Sequence, residues 1–167
     1  MSKLTFNIVE IPEGESRRKE LLEPEDLDLS PYEFTGGAIK IDFNRQRRFI
    51  RVNYEVEAGV ELVCDRSLKP FEYPVDTTYD VIFKTDVEQE TEDESGAVRK
   101  FNISNNSFSI EKEVRDSIML KIPIKKIHPD YRDEEGNVKE YEEKSFGEPP
   151  EDEEEQIDPR WEKLKEL

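Results

Sequence analysis

The chain has 167 residues, of which 34% are hydrophobic and 40% are charged, and its formal net charge is −17. The apolar share is below that of most globular domains, so only one modest core is expected, in a single domain with tails. The sequence has no long apolar run, and its first residues lack a basic segment followed by an apolar one, which predicts neither a membrane span nor a signal peptide.

The predicted elements begin with a short strand over residues 4–8, where apolar and polar residues alternate. Residues 16–22 are compatible with one or two helical turns, although three basic residues near the start of that segment oppose the helix dipole. Residues 24–31 are predicted to form a loop.

The clearest signal begins with a strand over residues 38–43 and a turn over residues 44–47. From residue 50 to residue 64 an apolar residue occupies every even position, and this alternation continues through Gly59. The pattern predicts one long strand bent at Gly59, because a two-residue hairpin there would reverse the faces. A three-residue loop around Gly59 would keep the same alternation and is the alternative.

A turn over residues 65–70 leads into a second alternating segment, which predicts a half-buried strand over residues 71–83. Pro74 points outward in this pattern and indicates that part of the strand is an edge. Residues 86–94 hold six acids and no base, and we therefore expect an acidic loop over residues 86–97.

Ser109 is the predicted N-cap of a helix over residues 110–121, which Pro123 prevents from continuing. The following segment is strongly acidic, so residues 129–156 are predicted to form an acidic disordered linker. A short C-terminal helix is predicted over residues 157–167. It is too short to be stable alone, so we expect it to dock on the body or on a partner.

Together these elements predict an α+β fold in which a curled antiparallel sheet of four to five strands packs against one helix. The single domain is expected over residues 1–128, followed by the linker and the C-terminal helix. The predicted core consists of Phe43, Tyr54, Val56, Leu62, Tyr73, Tyr79 and Phe83.

Cys64 is the only cysteine and His128 the only histidine. An intramolecular disulfide is therefore impossible, which fits a reducing, cytoplasmic compartment. Ser67 stands where a zinc knuckle would place its second thiol, and His128 alone does not complete a tetrahedral site. We interpret Cys64 as a core residue and His128 as a solvated loop residue beside Pro129, and we predict no metal and no cofactor.

The sequence does not show the groups that catalysis requires. Nearly all of the acids lie in segments that cannot hold a reacting geometry, and no glycine-rich phosphate loop is present. We therefore predict that the protein is not an enzyme and has no small-molecule substrate.

Clustered basic residues are the candidate contact groups. Two triplets of basic residues lie at residues 17–19 and between residues 121 and 126, and four arginines fall within seven residues around the first turn. Such arginines are typical of phosphate contact with nucleic acid, although composition alone favours an ordinary charged turn. These candidate contacts are Arg45, Arg47, Arg48 and Arg51.

The segment from Val60 to Phe83 contains the block C-x-R-x-L-x-P-F just before an alternating strand. This block resembles the YceD-like family, the large ribosomal RNA subunit accumulation proteins. The apolar stretch over residues 118–124 and the DPR-containing ending over residues 158–164 are similar to segments of the same family. Many relatives carry a second Cys at the position of Ser67 and further Cys residues after the helix, so any zinc site they hold is lost here.

Four positions of the block carry over from the family, namely Cys64, Arg66, Pro70 and Phe71. We interpret Cys64 and Phe71 as core residues and Pro70 as a residue that favours a turn. Arg66, with the neighbouring Lys69, is therefore the candidate contact in this block.

The resemblance implies a non-enzymatic bacterial factor that supports synthesis, processing or stability of 23S ribosomal RNA and assembly of the large ribosomal subunit. The implied partners are 23S rRNA or its precursor, large-subunit ribosomal proteins, or both. The composition leaves open an acidic adaptor or chaperone for basic proteins unrelated to ribosomes. A third hypothesis, a hydrolase, requires two rigid carboxylates facing one cleft.

Overall fold

The computed structural model describes residues 3–101 and 106–139. Its strands are β1 (Thr5–Asn7), β2 (Gly14–Leu22), β3 (Glu33–Arg45), β4 (Phe49–Val63), β5 (Pro70–Lys84), β6 (Thr91–Glu92), β7 (Gly96–Lys100) and β8 (Ser107–Ser109), and its α-helix is α1 (Glu111–Lys121). The order β2-β3-β4-β5-β7-β6 forms a six-stranded mixed sheet, and β1 pairs with β8 in a separate two-stranded sheet.

The long strand β4 is the centre of the main sheet. It pairs antiparallel with β5 along its whole length, from Phe49 opposite Lys84 to Val63 opposite Pro70, and its even-numbered residues are buried. The prediction of one continuous strand is therefore confirmed, and the loop alternative is wrong. A Cβ atom on Gly59 would lie 2.2 Å from the Thr35 hydroxyl and 2.5 Å from Glu72 Oε1, so both side chains would have to move to admit any other residue.

The predicted fold class is wrong, because the sheet has six strands and is mixed rather than a curled antiparallel sheet of four to five. One reason is residues 16–22, which belong to strand β2 and not to a helix. The core-facing positions of β2 include Arg18, whose guanidinium lies 5.8 Å from the centre of the Phe6 ring. A long polar side chain that covers an aromatic ring hides the apolar alternation by which a strand is recognised.

The second reason is the predicted acidic loop over residues 86–97, which contains β6 and the start of β7. Strand β7 runs parallel to β5, with Asp80 opposite Gly96 and Lys84 opposite Lys100, and this pairing makes the sheet mixed. The surrounding acids concealed a strand with only two apolar residues.

Helix α1 packs against β5 and confirms the helix predicted over residues 110–121. It begins at Glu111 and its N-cap is Ile110, so the prediction of Ser109 as the N-cap is wrong by one residue. The Ser109 hydroxyl nevertheless accepts from the Glu111 N–H at 3.2 Å. The buried Tyr54 hydroxyl donates to Ser117 Oγ on the helix at 3.2 Å. Most of the predicted core is buried, while Tyr73 and Tyr79 are half-buried and pack against its border.

Residues 129–139 are the part of the predicted linker that the structure describes. They contain a 3-10 helix over Pro129–Tyr131 and a bridge between Arg132 and Val138. The rest of the linker and the predicted C-terminal helix over residues 157–167 lie outside the described residues. No helix within the described ranges is long and apolar enough to cross a membrane.

Arg99 ties the acidic segment to the helix. Its Nε atom donates to Glu113 at 2.8 Å, its Nη2 atom donates to Glu92, and the Arg99 and Glu113 side chains are 13% and 6% exposed. Removing one partner of a buried ion pair leaves an uncompensated charge. We expect Arg99→Met to lower the free energy of unfolding by about 3 kcal/mol in urea titrations.

The matched control for this prediction is Arg115→Met, which breaks the exposed pair with Asp116. An exposed pair contributes less than about 1 kcal/mol, so this variant should unfold at nearly the wild-type urea concentration. Equal losses in the two variants would contradict a structural role for Arg99.

Arg45 connects the end of β3 to the N-terminal segment, because its Nη1 atom donates to the Ile8 carbonyl at 2.9 Å and also to the Ile11 carbonyl. Hydrogen bonds from a charged donor contribute about 1.5–3 kcal/mol, so Arg45→Met should destabilise the protein by about 2 kcal/mol. Arg47→Met in the adjacent exposed turn should change the unfolding midpoint little. The same urea titration measures both variants. If Arg47→Met lost more stability than Arg45→Met, the structural role of Arg45 would be refuted.

Candidate functional site

The sequence-predicted contact residues lie at opposite ends of β4. The four arginines around the first turn flank the β3–β4 connection, whereas Arg66 and Lys69 lie in the β4–β5 connection. With a rise of about 3.3 Å per residue, the fifteen-residue strand separates the two ends by about 45 Å. The candidates therefore form two surfaces and not one site.

At the β3–β4 end, half of the candidate arginines have structural roles. Arg45 holds the N-terminal carbonyls, and Arg51 donates from Nε to Asp80 Oδ2 at 2.7 Å across the β4–β5 pair. The hydrogen bond to Asp80 and its charge raise the pKa of Arg51. Arg47 and Arg48 are exposed at the tip of the turn, beside a cavity of about 340 Å³.

The β4–β5 turn is closed by its own backbone. The Cys64 N–H donates to the Lys69 carbonyl and the Leu68 N–H donates to the Cys64 carbonyl, both at 2.9 Å. Leu68 has a φ angle of 57° in the left-handed region, and its side chain is 77% exposed. A bulky residue is strained in this conformation, so the turn displays an apolar side chain at a conformational cost.

The segment after α1 is fixed onto this turn. The Asp65 N–H donates to the Lys126 carbonyl at 2.8 Å, and the Lys126 N–H donates to Asp65 Oδ2 at 2.7 Å. Arg66 donates from Nη1 to the Lys139 carbonyl at 3.1 Å, and its guanidinium lies 4.7 Å from the centre of the Tyr131 ring. Two segments distant in sequence, residues 64–69 and 126–139, therefore meet at this turn.

Cys64 is fully buried beneath the turn, as predicted for a core residue. Burial raises the pKa of its thiol, but the polar Ser67 hydroxyl and the backbone N–H groups of His128, Ser67 and Arg66 near the sulfur favour the thiolate, outweigh burial and lower the pKa to about 7. The His128 N–H lies 3.3 Å from Cys64 Sγ. Among the residues that the structure describes, no group of three His, Cys, Asp or Glu side chains is placed to hold a metal ion.

The interpretation of His128 as a solvated loop residue is wrong. Its side chain is 21% exposed, its ring packs edge-on against Phe71 at 5.5 Å, and Nδ1 accepts from the Asp130 N–H at 3.1 Å. This imidazole therefore caps the 3-10 helix that begins at Pro129.

Exposed apolar residues lie beside the basic ones at this end of the molecule. Ile124 is 98% exposed and Val138 is 40% exposed, and Val138 immediately precedes the residue that Arg66 contacts. Residues 64–69 and 121–139 together carry seven bases and five acids, a small positive excess in a chain of charge −17. We name the half-buried Arg66 together with its exposed neighbours the turn patch, and its members are Arg66, Leu68, Lys69, Ile124, Lys125 and Val138.

Sequence reasoning missed the apolar members of the turn patch. A signal was present, since Leu68 and Ile124 are apolar residues in polar segments and fit neither a strand alternation nor the helix. Lys125 was recognised as part of a basic group, but only the fold brings it to the same end of the molecule as Lys69.

The solvent face of the sheet carries carboxylates near the same end. Glu61 on β4 lies directly opposite Glu33 on β3 and Glu72 on β5, and Glu57 lies opposite Asp76. Like charges directly opposite each other destabilise a sheet. We name Glu33, Glu61 and Glu72 the acidic row.

Comparison with known families gives one match. The family model described as "Large ribosomal RNA subunit accumulation protein YceD" matches residues 52–167, which is 116 of the 167 residues. The matched part contains the β4–β5 turn and the whole turn patch, whereas the arginines of the β3–β4 turn precede it. No curated protein and no solved structure matches the chain. The length of the match, together with the C-x-R-x-L-x-P-F block that it includes, shows that the chain belongs to the YceD family of large ribosomal RNA subunit accumulation proteins.

Proposed function

We propose that this protein is a non-enzymatic factor that supports synthesis, processing or stability of 23S ribosomal RNA and thereby assembly of the large ribosomal subunit. Membership of the YceD family over residues 52–167 carries the proposal. The proposed partners are 23S rRNA or its precursor, large-subunit proteins, or both, in the cytoplasm of a bacterial cell.

The turn patch is the proposed contact surface, because it lies within the family match and combines cations with exposed apolar groups. Arg66 is held between the Lys139 carbonyl and the Tyr131 ring, so little side-chain entropy remains to be lost on binding. Lys69 and Lys125 add charge that attracts phosphate without reading sequence. Base or protein specificity would then come from Leu68 and Ile124.

The acidic row favours a second candidate, an adaptor for a basic protein. Three opposed carboxylates repel one another, and a bound cluster of Lys or Arg side chains would relieve this repulsion. A basic ribosomal protein as partner would be compatible with both candidate functions. A basic protein unrelated to ribosomes would be compatible only with the adaptor function.

The assembly role can be tested in the cell. Deleting the gene should lower the amount of 23S rRNA relative to 16S rRNA, and the protein should sediment with precursors of the large subunit in sucrose gradients. Quantitative RNA measurement and immunoblotting of gradient fractions check both statements. Unchanged rRNA together with protein that stays at the top of the gradient would refute the assembly role.

Paired variants distinguish the basic residues at the two ends of β4. The double variant Arg66→Gln/Lys69→Gln should weaken binding to isolated 23S rRNA and lower the slope of log affinity against log salt by about 1 to 2, because two phosphate contacts are lost. The matched double variant Arg47→Gln/Arg48→Gln removes the same charge about 45 Å away and should leave both quantities near wild type.

Filter binding over a salt series, with thermal melts to verify folding, measures this difference. A loss confined to the Arg47/Arg48 variant would move the contact to the other end of β4. If neither variant changes RNA binding, but Glu61→Gln/Glu72→Gln abolishes recovery of ribosomal proteins, the adaptor version replaces direct RNA contact.

A further inference from the structure

The turn patch exposes two large apolar side chains. Leu68 is 77% exposed and Ile124 is 98% exposed, and the Leu68 side chain is presented by a left-handed backbone conformation. The paired hydrogen bonds between Asp65 and Lys126 bring their two segments to the same end of the molecule, beside several cations. Apolar groups gathered in this way with a polar rim mark interaction surfaces. The question is which segment or partner covers them.

The path of the chain points to its own C-terminal segment. Arg66 binds the carbonyl of Lys139, so the described chain ends at the patch itself. The 28 residues that follow, 140–167, carry twelve acids and four bases. The seven bases and five acids around the patch complement this charge.

The same segment also supplies apolar groups for the patch. Trp161, Leu164 and Leu167 follow each other at intervals of three residues, which places them on one side of the helix that the sequence predicts over residues 157–167. The C-terminal segment thus offers apolar side chains that follow an acidic run, and the turn patch offers apolar side chains bordered by bases. The two are complementary in both respects.

Distance favours this end of the molecule over the other. About twenty residues separate Lys139, which lies at the patch, from Trp161. A random coil of that length has an end-to-end distance of about 25 Å, and repulsion within an acidic chain lengthens it. The opposite end of β4 lies about 45 Å away. Tethering gives the segment an effective concentration in the millimolar range, so even a weak contact would be occupied.

We propose that residues 158–167 of this chain dock on the turn patch, with Trp161 and Leu164 against Leu68 and Ile124. The acidic run before them then lies beside Lys69 and Lys125. Docking covers Arg66 and Lys69, so any polyanionic partner that uses these side chains must displace the segment. The contact is intramolecular and stands independently of whether RNA is that partner.

Trp161 is the only tryptophan, so its fluorescence reports on the contact directly. In the full-length protein its emission should be shifted to shorter wavelength and be less quenched by acrylamide than in a peptide of residues 148–167. The variant Leu68→Asp/Ile124→Asp should restore the emission and quenching of the peptide. Asp tolerates the backbone conformation at position 68, so the variant should remain folded.

The matched control is Val9→Asp/Leu21→Asp, which adds the same charge at apolar side chains that are 76% and 69% exposed and lie away from the patch. It should leave the emission at the wild-type position. Circular dichroism melts of both variants verify that the fold is intact.

Three outcomes would overturn the proposal. The wild-type emission could equal that of the peptide, which means that the segment is undocked. The patch variant could leave a shifted emission unchanged, which places Trp161 elsewhere. The shift could vanish on dilution together with a dimer seen by light scattering, which assigns the patch to a second copy.

Discussion

The register of β4 is the constraint on which the rest of this structure depends. The strand is paired on both edges and buries every even-numbered side chain, so a slip of one residue would bring Arg51, Asn53 and Glu55 into the core. A register fixed in this way also fixes the two turns at its ends. The arginines of the first turn and the Cys64–Lys69 turn are therefore held far apart, and a partner that touches both must be large.

Acidic residues have two different roles in the described part of the chain. Glu92 and Glu113 are bonded to Arg99, and the hydrogen bond from Arg99 and the charge of Lys112 lower the pKa of Glu92. These carboxylates hold β7 against the helix. The acidic row, by contrast, consists of carboxylates that face each other. The 42 acids of the sequence therefore overstate the number of carboxylates available to a partner, since some of them are bonded to bases within the fold.

The elements with strong local alternation could be predicted from the sequence, and the elements defined by distant partners could not. Strands β4 and β5 and helix α1 display their periodicity in their own residues. Strand β2 places Arg18 over an aromatic ring, and β7 depends on Arg99 meeting acids from other segments, so neither shows a local signal. The same holds for the contact residues. Charge identifies an arginine as a candidate, but only the fold shows that Arg45 is bonded to backbone carbonyls and that Arg51 is paired with Asp80.

The composition of the turn patch follows from the charges around it. Its surroundings have only a small excess of bases, and the acidic row lies close by on the sheet, so attraction to phosphate alone gives weak and strongly salt-dependent binding. A specific contact at such a surface needs apolar and aromatic area in addition to charge. Leu68 and Ile124 supply exposed apolar area. Nearby carboxylates then act against loosely bound polyanions, because a partner that does not bury the apolar groups gains too little to offset the repulsion. If the turn patch is the contact surface proposed above, the mixture of charges that weakens a simple nucleic-acid interpretation would select one partner among many.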